Sequence, residues 1–386
     1  PDRYTNQSFT TTVDMTTNEP ESTFSLRGKV LGELFADTDT SVITDVGQTA
    51  VDGSWKFVSI TDDITVNWYG VAYGMGRFVA APNGGTGQNS APHYSSDGIT
   101  WTAATVYPTN PAYYGIAFGN DTFVIAGTTL NSKVSRSTDG GQTWEDGTIL
   151  DSTYRNYTYY APVFAPFVGQ DDRFVIGGSN AGIIYSNDNG ATWQAASIAQ
   201  DCNWKQMAFG LVNNGTIVAT GSDCTNTLAY STDGVTWNIV NVPSASSTWS
   251  AVAYGDDKFV VVSQSGQIAY SSDGISWTMT TGPGNSYSAV TYGDGKFVAV
   301  GPSGANDWSN DGITWNSGVT INQNEYYGIA YGNGMFLTVG GPTSSVPAGA
   351  ARSISGTGGP VDKTQLTFVD TTNLSSISGG DSVVQN

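Results

Sequence analysis

Six aspartates recur in nearly identical surroundings, and paired carboxylates are the groups that most glycoside hydrolases use. Each aspartate follows a serine by two positions, precedes a glycine by one or two, and leads to a tryptophan. The six are Asp97, Asp139, Asp188, Asp233, Asp273 and Asp311. Repetition in one local pattern indicates a turn in which the carboxylate accepts backbone N–H groups. We therefore expect these aspartates to be structural.

Glycoside hydrolysis would need two other carboxyl groups, roughly 5–9.5 Å apart. The acids that we expect on loops are Asp151, Asp201, Asp223, Asp307 and Glu325. Nothing in the sequence pairs any two of them. A glycoside hydrolase is therefore the alternative prediction and not the first.

Sialidase chemistry would need three arginines around a substrate carboxylate. Arg77 and Arg173 stand at a repeat position that carries lysine in other copies, so we expect them to be structural. Only Arg155 and Arg352 are expected to reach the loops, which is too few. His93 is the only histidine, is expected in a loop, and offers no Ser-His-Asp relay. We predict no catalytic residue, no bound metal and no cofactor.

The elements that carry these residues repeat along the chain. The tryptophans of the aspartate motif lie about 40 residues apart, which is typical of an array of one supersecondary unit. A second motif alternates with the first and occurs seven times, twice in a looser form. Its copies are Tyr69–Ala81, Tyr114–Ala126, Trp249–Val262, Tyr287–Val300 and Tyr327–Val339, with the looser ones beginning near Tyr160 and Trp204.

Each copy of the second motif predicts a hairpin. Its first strand alternates large and small residues, its turn is a sequence such as Gly-Asp-Gly, and its second strand is apolar and rich in β-branched residues. A third strand leads to the aspartate turn, and the tryptophan begins a fourth. Four antiparallel strands per repeat predict an all-β, seven-bladed β-propeller with N- and C-terminal arms. Residues 52–60 are expected to complete the last blade, beside a third strand near 350–355. The propeller then spans 51–355.

The aspartate turns resemble the Asp-box, or BNR, repeat, whose pattern is S-x-D-x-G-x-T-W. Ser137–Trp144 and Ser186–Trp193 match it fully, and the other four are one residue shorter before the glycine. The resemblance implies the propeller fold for about four fifths of the chain. It leaves function open, since propellers of this kind include sialidases, xyloglucanases, sorting receptors, photosystem assembly factors and phage proteins.

An aromatic residue begins the first strand of every repeat. The seven are Tyr69, Tyr114, Tyr160, Trp204, Trp249, Tyr287 and Tyr327. We expect their side chains to pack between blades. The alternative is that they form one ring at the channel mouth that stacks sugar rings, and the further aromatics beside them make this rim the candidate ligand-binding surface.

Cys202 and Cys224 flank the hairpin of the fourth repeat. A hairpin brings its two ends to the same face, so we expect a disulfide, with two separate buried thiols as the alternative. A disulfide would form in an oxidising medium, as for an extracellular particle.

The flanks differ from the repeats in composition. Residues 1–50 are rich in threonine and acidic residues, and are expected to be either an attachment or oligomerisation arm or a mobile tail. They contain no basic segment followed by an apolar one, so we expect no secretory signal there. Residues 356–386 begin Gly/Ser/Thr-rich. The stretch VDKTQLTFVDTTNLSSISGGDSVVQN resembles a module of tail-fibre-like structural proteins of marine and cyanobacterial phages.

A formal net charge of −19 argues against nucleic-acid binding, and no apolar run is long enough for membrane insertion. We therefore predict a non-enzymatic structural or adhesion component of a phage-like virion, with virion or extracellular localisation. Its partners would be other virion subunits, bound through the arms, and a host-surface glycan; we also expect a homo-oligomer. The alternatives are a carbohydrate-active enzyme and a soluble assembly factor on the same scaffold.

Overall fold

Seven antiparallel sheets make up the part of the chain that the computed structural model describes. The described residues are 55–353 without 62–65, 85–89, 109–111, 129–133, 244–247, 322–324 and 343–348. They belong to one unit, Asp52–Ser353. The predicted arm 1–50 and the segment 356–386 lie outside the described residues.

Each sheet is one blade, and its four antiparallel strands follow the chain from the inside outwards in all but the last blade. Blade 1 contains β2 (Asn67–Gly74), β3 (Arg77–Asn83), β4 (His93–Ser95) and β5 (Thr102–Ala103). Blade 2 contains β6 (Tyr113–Gly119), β7 (Thr122–Gly127), β8 (Val134–Ser137) and β9 (Glu145–Asp146). Blade 3 contains β11 (Tyr159–Ala165), β12 (Arg173–Gly178), β13 (Ile183–Ser186) and β14 (Thr192–Ala195), with the short parallel strand β10 (Thr148–Ile149) outside.

The remaining blades repeat the arrangement. Blade 4 contains β15 (Trp204–Gly210), β16 (Thr216–Gly221), β17 (Thr227–Ser231) and β18 (Asn238–Asn241). Blade 5 contains β19 (Trp249–Gly255), β20 (Lys258–Ser263), β21 (Ile268–Ser271) and β22 (Thr278–Thr280). Blade 6 contains β23 (Ala289–Gly293), β24 (Lys296–Val300), β25 (Asn306–Ser309) and β26 (Asn316–Ser317).

Blade 7 joins the two ends of the repeat region. It contains β27 (Glu325–Gly332), β28 (Met335–Gly341), β29 (Gly349–Ser353) and, outermost, β1 (Trp55–Ser59). The antiparallel register pairs Trp55 with Ser353 and Ser59 with Gly349. The prediction that the segment 52–60 supplies a strand of the last blade is confirmed for Trp55–Ser59, and the seven-bladed propeller is confirmed. Blade 7 has no aspartate turn because its third and fourth strands come from opposite ends of the repeat region.

The blades pack through aromatic residues that lie against glycines. Tyr292, near the end of β23, lies where a Cβ on Gly255 of blade 5 would approach its ring to 1.9 Å. The same ring packs against Phe297 of its own blade, with ring centroids 4.7 Å apart. Equivalent glycine–aromatic pairs recur between most adjacent blades. The glycine is therefore required by the neighbouring blade and not by its own backbone.

Helices are minor in this structure. The described residues include two short 3-10 helices, Ser152–Asn156 and Pro302–Gly304. None of the helices in the described ranges has the length and apolar character needed to cross a bilayer.

Candidate functional site

The seven innermost strands surround a channel along the axis of the propeller. A cavity of about 300 Å³ lies within it, and every one of these strands contributes to its wall. The wall consists largely of small and aliphatic residues, for example Val71, Ile116, Pro162 and Ala253. The candidate site is the mouth of this channel at the end where the innermost strands begin.

A fully buried aromatic residue stands near the start of every innermost strand. The set is Trp68, Tyr113, Tyr159, Trp204, Trp249, Tyr287 and Tyr326, each with 0% of its surface exposed. These side chains fill the spaces between blades. The alternative ring of seven therefore mixes two positions, and its members Trp204, Trp249 and Tyr287 are not available to a ligand. For these three residues the expected packing between blades is confirmed.

In six of the seven blades a bulge separates the next residue from the buried aromatic, and at this second position Tyr69 and Tyr114 line the cavity. In β2 the pairing with β3 shifts between Trp68 and Gly70, which leaves Tyr69 unpaired, and comparable shifts occur in β6, β11, β15, β19 and β27. A bulge re-aims a side chain in this way. The residues at this position are Tyr69, Tyr114, Tyr160, Lys205, Ser250, Ser288 and Tyr327.

Four adjacent blades therefore present tyrosine at the mouth, and we call Tyr327, Tyr69, Tyr114 and Tyr160 the tyrosine arc. Tyr69 stacks on Tyr327, with ring centroids 4.5 Å apart and planes at 8°. The ring centroid of Tyr114 lies 5.4 Å from that of Tyr69 and 5.6 Å from that of Tyr160, with the ring planes strongly inclined in both pairs. All four rings are half-buried, so each keeps part of its surface at the mouth.

Small residues bring these rings into contact. A Cβ on Gly70 would lie 2.9 Å from the Cα of Gly115, and one on Gly115 would lie 2.4 Å from the Cα of Ala161. The innermost strands of blades 1 to 3 thus approach closely, and the tyrosines beside these small residues touch. The arc is the part of the alternative ring that the structure retains.

The ends of the arc carry opposite charges. The hydroxyl of Tyr327 donates to Oε2 of Glu325 at 2.8 Å. At the other end, Nζ of Lys205 lies 3.6 Å from the centroid of the Tyr160 ring. Burial lowers the pKa of the Lys205 ammonium, and the charges of Tyr114 and Asp223 act in the opposite direction. Burial, with Tyr114 and Glu325, raises the pKa of Tyr69, so this phenol is neutral at pH 7.

The other loop acids are held by their surroundings. Asp307 is fully buried on β25 and accepts from the Tyr287 hydroxyl at 2.5 Å and from Asn285 Nδ2 at 2.9 Å. Asp151 accepts from the backbone N–H of Thr153. Asp223 accepts from the backbone N–H of Asn203 at 2.6 Å. None of these bonds joins two carboxyl groups, and the expectation that Asp307 lies on a loop is wrong.

The basic residues of the repeats support neighbouring turns. Nη1 of Arg173 donates to the carbonyl oxygen of Asp233 in blade 4 at 2.6 Å. Arg77 lies over the Tyr94 ring at 5.0 Å. Arg155 donates through Nε to the carbonyl oxygen of Ile149 at 2.8 Å. The predicted structural role of Arg77 and Arg173 agrees with these contacts.

Arg352 and His93 differ from the sequence predictions. Arg352 lies in β29, with its Cδ 3.9 Å from the Cβ position of Gly98 in the aspartate turn of blade 1. It is therefore at the opposite face from the channel mouth. His93 lies in β4, is 5% exposed, and meets the Trp68 ring edge-on at 5.1 Å. Burial lowers its pKa, and its Nδ1 lies 2.9 Å from the carbonyl oxygen of Ala91.

Cys202 and Cys224 form the predicted disulfide, with Cα atoms 5.8 Å apart. Together with Asp223 they make a close group, but the two sulfurs are bonded to each other and offer no thiolate to a metal. The carbonyl oxygen of Cys202 accepts from the N–H of Ala181 in blade 3. The disulfide thus ties the rim of blade 4 beside Lys205.

The six aspartate turns lie at the face opposite the mouth. In each, the serine hydroxyl donates to the aspartate, as from Ser231 to Asp233 Oδ1 at 2.9 Å. The same Oδ1 accepts from the N–H groups of Val235 and Thr236 at 2.8 and 2.7 Å. Burial opposes ionisation, but these donors outweigh it and the pKa of the carboxyl is lowered in all six turns.

The turns also bind the preceding blade. The backbone N–H of Trp144 donates to the carbonyl oxygen of Val106, and that of Trp237 donates to Ser197. The indole N–H of Trp193 donates to the carbonyl oxygen of Gly190 in its own turn at 2.9 Å. The hydrogen bonds within each turn give its aspartate a structural role, as the sequence predicted.

The fold and the repeated turn define a seven-bladed β-propeller built from Asp-box repeats. Residues 132–282 match the Sortilin-Vps10 family model, described as sortilin, neurotensin receptor 3. That match covers the end of blade 2 through blade 5. No curated protein is similar to the chain in sequence.

Solved structures share the fold at low sequence identity. The chain is similar to YCF48 bound to D1 peptide, with 17% identity, a TM-score of 0.58, and coverage of 78% of this chain and 96% of that one. It is also similar to YCF48 from Cyanidioschyzon merolae, with 16% identity, a TM-score of 0.55, and coverage of 78% of this chain and 98% of that one. A streptogramin B lyase structure is 10% identical, with a TM-score of 0.62 and coverage of 78% of this chain and 96% of that one. At such identities the similarity concerns the fold alone.

Proposed function

We propose that the chain is a non-enzymatic adhesion component of a phage-like virion, and that the tyrosine arc binds a glycan of the host surface. The observation that carries the proposal is the contiguous row of four half-buried tyrosines on one side of the channel mouth. Aromatic faces and edges with a polar hydroxyl suit sugar rings, which have apolar faces and polar rims. A rigid scaffold that presents such a row needs little ordering on binding.

The proposal of binding without catalysis is supported by the loop acids. Glycosidase chemistry depends on two carboxyl groups that face one substrate bond. Here Asp307 is buried against Tyr287, Asp151 caps a short helix, and Asp223 holds a backbone N–H. Glu325, the acid at the arc, accepts a hydrogen bond from the Tyr327 hydroxyl.

The virion part of the proposal is supported by the sequence of the C-terminal segment, which resembles a module of phage structural proteins. A disulfide at the rim is consistent with function outside a reducing cytosol. In this proposal the arms bind other virion subunits and the propeller displays the arc.

The test is binding of the full chain to a glycan array and to intact bacterial cells, with mass analysis of every bound glycan afterwards. We expect binding with the glycan unchanged. Shortened glycans would contradict the non-enzymatic assignment and favour the glycoside hydrolase. Absence of any glycan binding, with capture of an extended peptide instead, would favour an assembly factor. One similar structure, YCF48, is described as bound to a peptide.

A further inference from the structure

Lys205 replaces tyrosine at the channel-facing position of blade 4, directly beside the tyrosine arc. We propose that Lys205 makes the arc selective for acidic glycans, its ammonium binding the carboxylate of a uronic acid unit while neighbouring sugar rings stack on Tyr160 and Tyr114. This inference rests on the proposed glycan binding and names the class of glycan.

The ammonium of Lys205 lacks an ionic partner of its own. It lies over the face of Tyr160, 3.6 Å from the ring centroid, and within the described ranges it forms no ion pair and no hydrogen bond. A π face satisfies one side of an ammonium, whose three N–H donors point in other directions too. Donors therefore remain for a ligand that approaches along the arc.

The carboxylate that influences Lys205 electrostatically, that of Asp223, is held by a backbone hydrogen bond. Asp223 lies close enough to influence Lys205 electrostatically, but its Oδ1 accepts the backbone N–H of Asn203 at 2.6 Å. The disulfide between Cys202 and Cys224 fixes the segments that carry Asp223 and Lys205. Asp223 is thus held beside Lys205 without forming an ion pair with it.

Other basic side chains with a recorded partner lie away from the mouth. Arg136 pairs with Glu145 at 2.6 Å, and Lys258 pairs with Asp256 at 2.8 Å. Arg173 is bonded to the carbonyl oxygen of Asp233. In a chain with a net charge of −19, an ammonium that has no ion pair among the described residues gives an anion a favourable place to bind.

Partial burial strengthens this attraction. Charges interact more strongly at a half-buried site than in bulk water. Burial also lowers the pKa of Lys205 because the half-buried site disfavours the charged form, so a carboxylate bound beside the ammonium would stabilise that form. A neutral sugar would gain only ordinary hydrogen bonds at the same place.

The test uses the full chain and pairs of oligosaccharides that differ in one group. Oligomers of galacturonic, glucuronic, guluronic and mannuronic acid are each compared with the carboxyl-reduced form of the same oligomer. The variants are Lys205→Gln, Lys205→Arg and, as the matched control at the opposite face, Lys258→Gln. Thermal melting confirms that each variant is folded.

We expect at least one acid oligomer to bind the wild type about tenfold more tightly than its reduced form, and Lys205→Gln to remove that difference. Lys205→Arg and Lys258→Gln should keep it, and added salt should weaken the acid form only. Equal affinity of acid and reduced forms for the wild type would overturn the inference, whatever the variants do. Binding of neutral glycans alone would overturn it and leave the proposed function in place, whereas no glycan binding would contradict both.

Discussion

At the scale of single residues, the aspartates show how a group suited to catalysis is used for structure. A carboxylate that accepts two backbone N–H groups and a serine hydroxyl has its charge distributed over its own turn. Asp233 accepts from Val235, Thr236 and Ser231, all within 2.9 Å. The local pattern of serine, aspartate and glycine is enough to predict this, because every partner lies within a few residues of the carboxylate.

The lowered pKa of these carboxyls predicts loss of stability in acid. A carboxyl with a folded-state pKa below its ordinary value of 3.8 stabilises the folded chain above that pH, and this contribution is lost as the pH falls through the folded-state pKa. We expect Asp233→Ala to reduce the free energy of unfolding by about 1 kcal/mol at pH 7, a modest value because the carboxylate is only partly buried and solvent screens its charge. The difference from the wild type should shrink below pH 3.8.

Urea unfolding across a pH series measures this difference. Asp151→Ala is a useful comparison, since this carboxyl accepts a single backbone N–H. If the free energy of unfolding of Asp233→Ala stays below that of the wild type by the same amount at every pH, including the lowest, the electrostatic explanation is contradicted.

The residues at the channel mouth were harder to predict from sequence. The motif gives an aromatic at the start of every innermost strand, but two successive positions can hold it. Blades 1, 2, 3 and 7 have aromatics at both positions, whereas blades 4, 5 and 6 have Lys205, Ser250 and Ser288 at the second. The bulge that separates these positions depends on pairing with the next strand, which the spacing of residues does not reveal.

At the scale of elements, the hairpins could be predicted from sequence because their turns and periodicity are local. The contact between blades is not local. The Cβ position of Gly255 lies 1.9 Å from the ring of Tyr292, about 37 residues further along the chain. No alternation or turn rule indicates that this glycine makes room for another blade.

We expect Gly255→Ala to destabilise the propeller by about 1–3 kcal/mol, because the added methyl group overlaps a ring held between two blades. Thermal and urea unfolding of the variant measure the effect. Blade 3 ends its innermost strand with Ala165 instead of glycine, so Ala165→Gly, which adds no atom between blades, is the matched control and should cost about 1 kcal/mol. Similar losses for both variants would argue against the packing explanation.

The disulfide acts on a single blade. It closes a loop between residues that are 22 apart in sequence and lie on the rim beside Lys205. We expect Cys202→Ala combined with Cys224→Ala to lower the free energy of unfolding by about 3 kcal/mol. Reduction of the wild type should produce the same loss, and reductant should leave the double variant unaffected. A wild type with unchanged stability after verified reduction would contradict this expectation.

At the scale of the whole molecule, β1 and β29 close the ring by pairing across the ends of the repeat region. The count of seven hairpins against six aspartate turns predicted this closure, since the unmatched hairpin needed strands from elsewhere. Closure leaves no blade incomplete. It also keeps the arc in one piece, because Tyr327 of blade 7 stacks on Tyr69 of blade 1.

The proposed role in a virion predicts an assembly of several chains. We expect light scattering to show the full chain as a homo-oligomer and a chain restricted to 52–353 as a monomer, because the contacts between subunits are assigned to the arms. A monomeric full chain, or an oligomer that survives removal of both flanks, would contradict that assignment. The sequence resemblance of the C-terminal segment motivates this prediction.

The central claim is that the tyrosine arc of a non-enzymatic propeller binds a glycan. The most direct measurement is calorimetric titration of the tightest array glycan into the full chain and into the variants Tyr114→Ala and Ser288→Ala. Both residues directly follow the buried aromatic of their blade, but only Tyr114 belongs to the arc. We predict that Tyr114→Ala weakens binding on the order of tenfold while Ser288→Ala leaves it unchanged. Equal affinity of the two folded variants and the wild type would show that the glycan binds elsewhere and would contradict the claim.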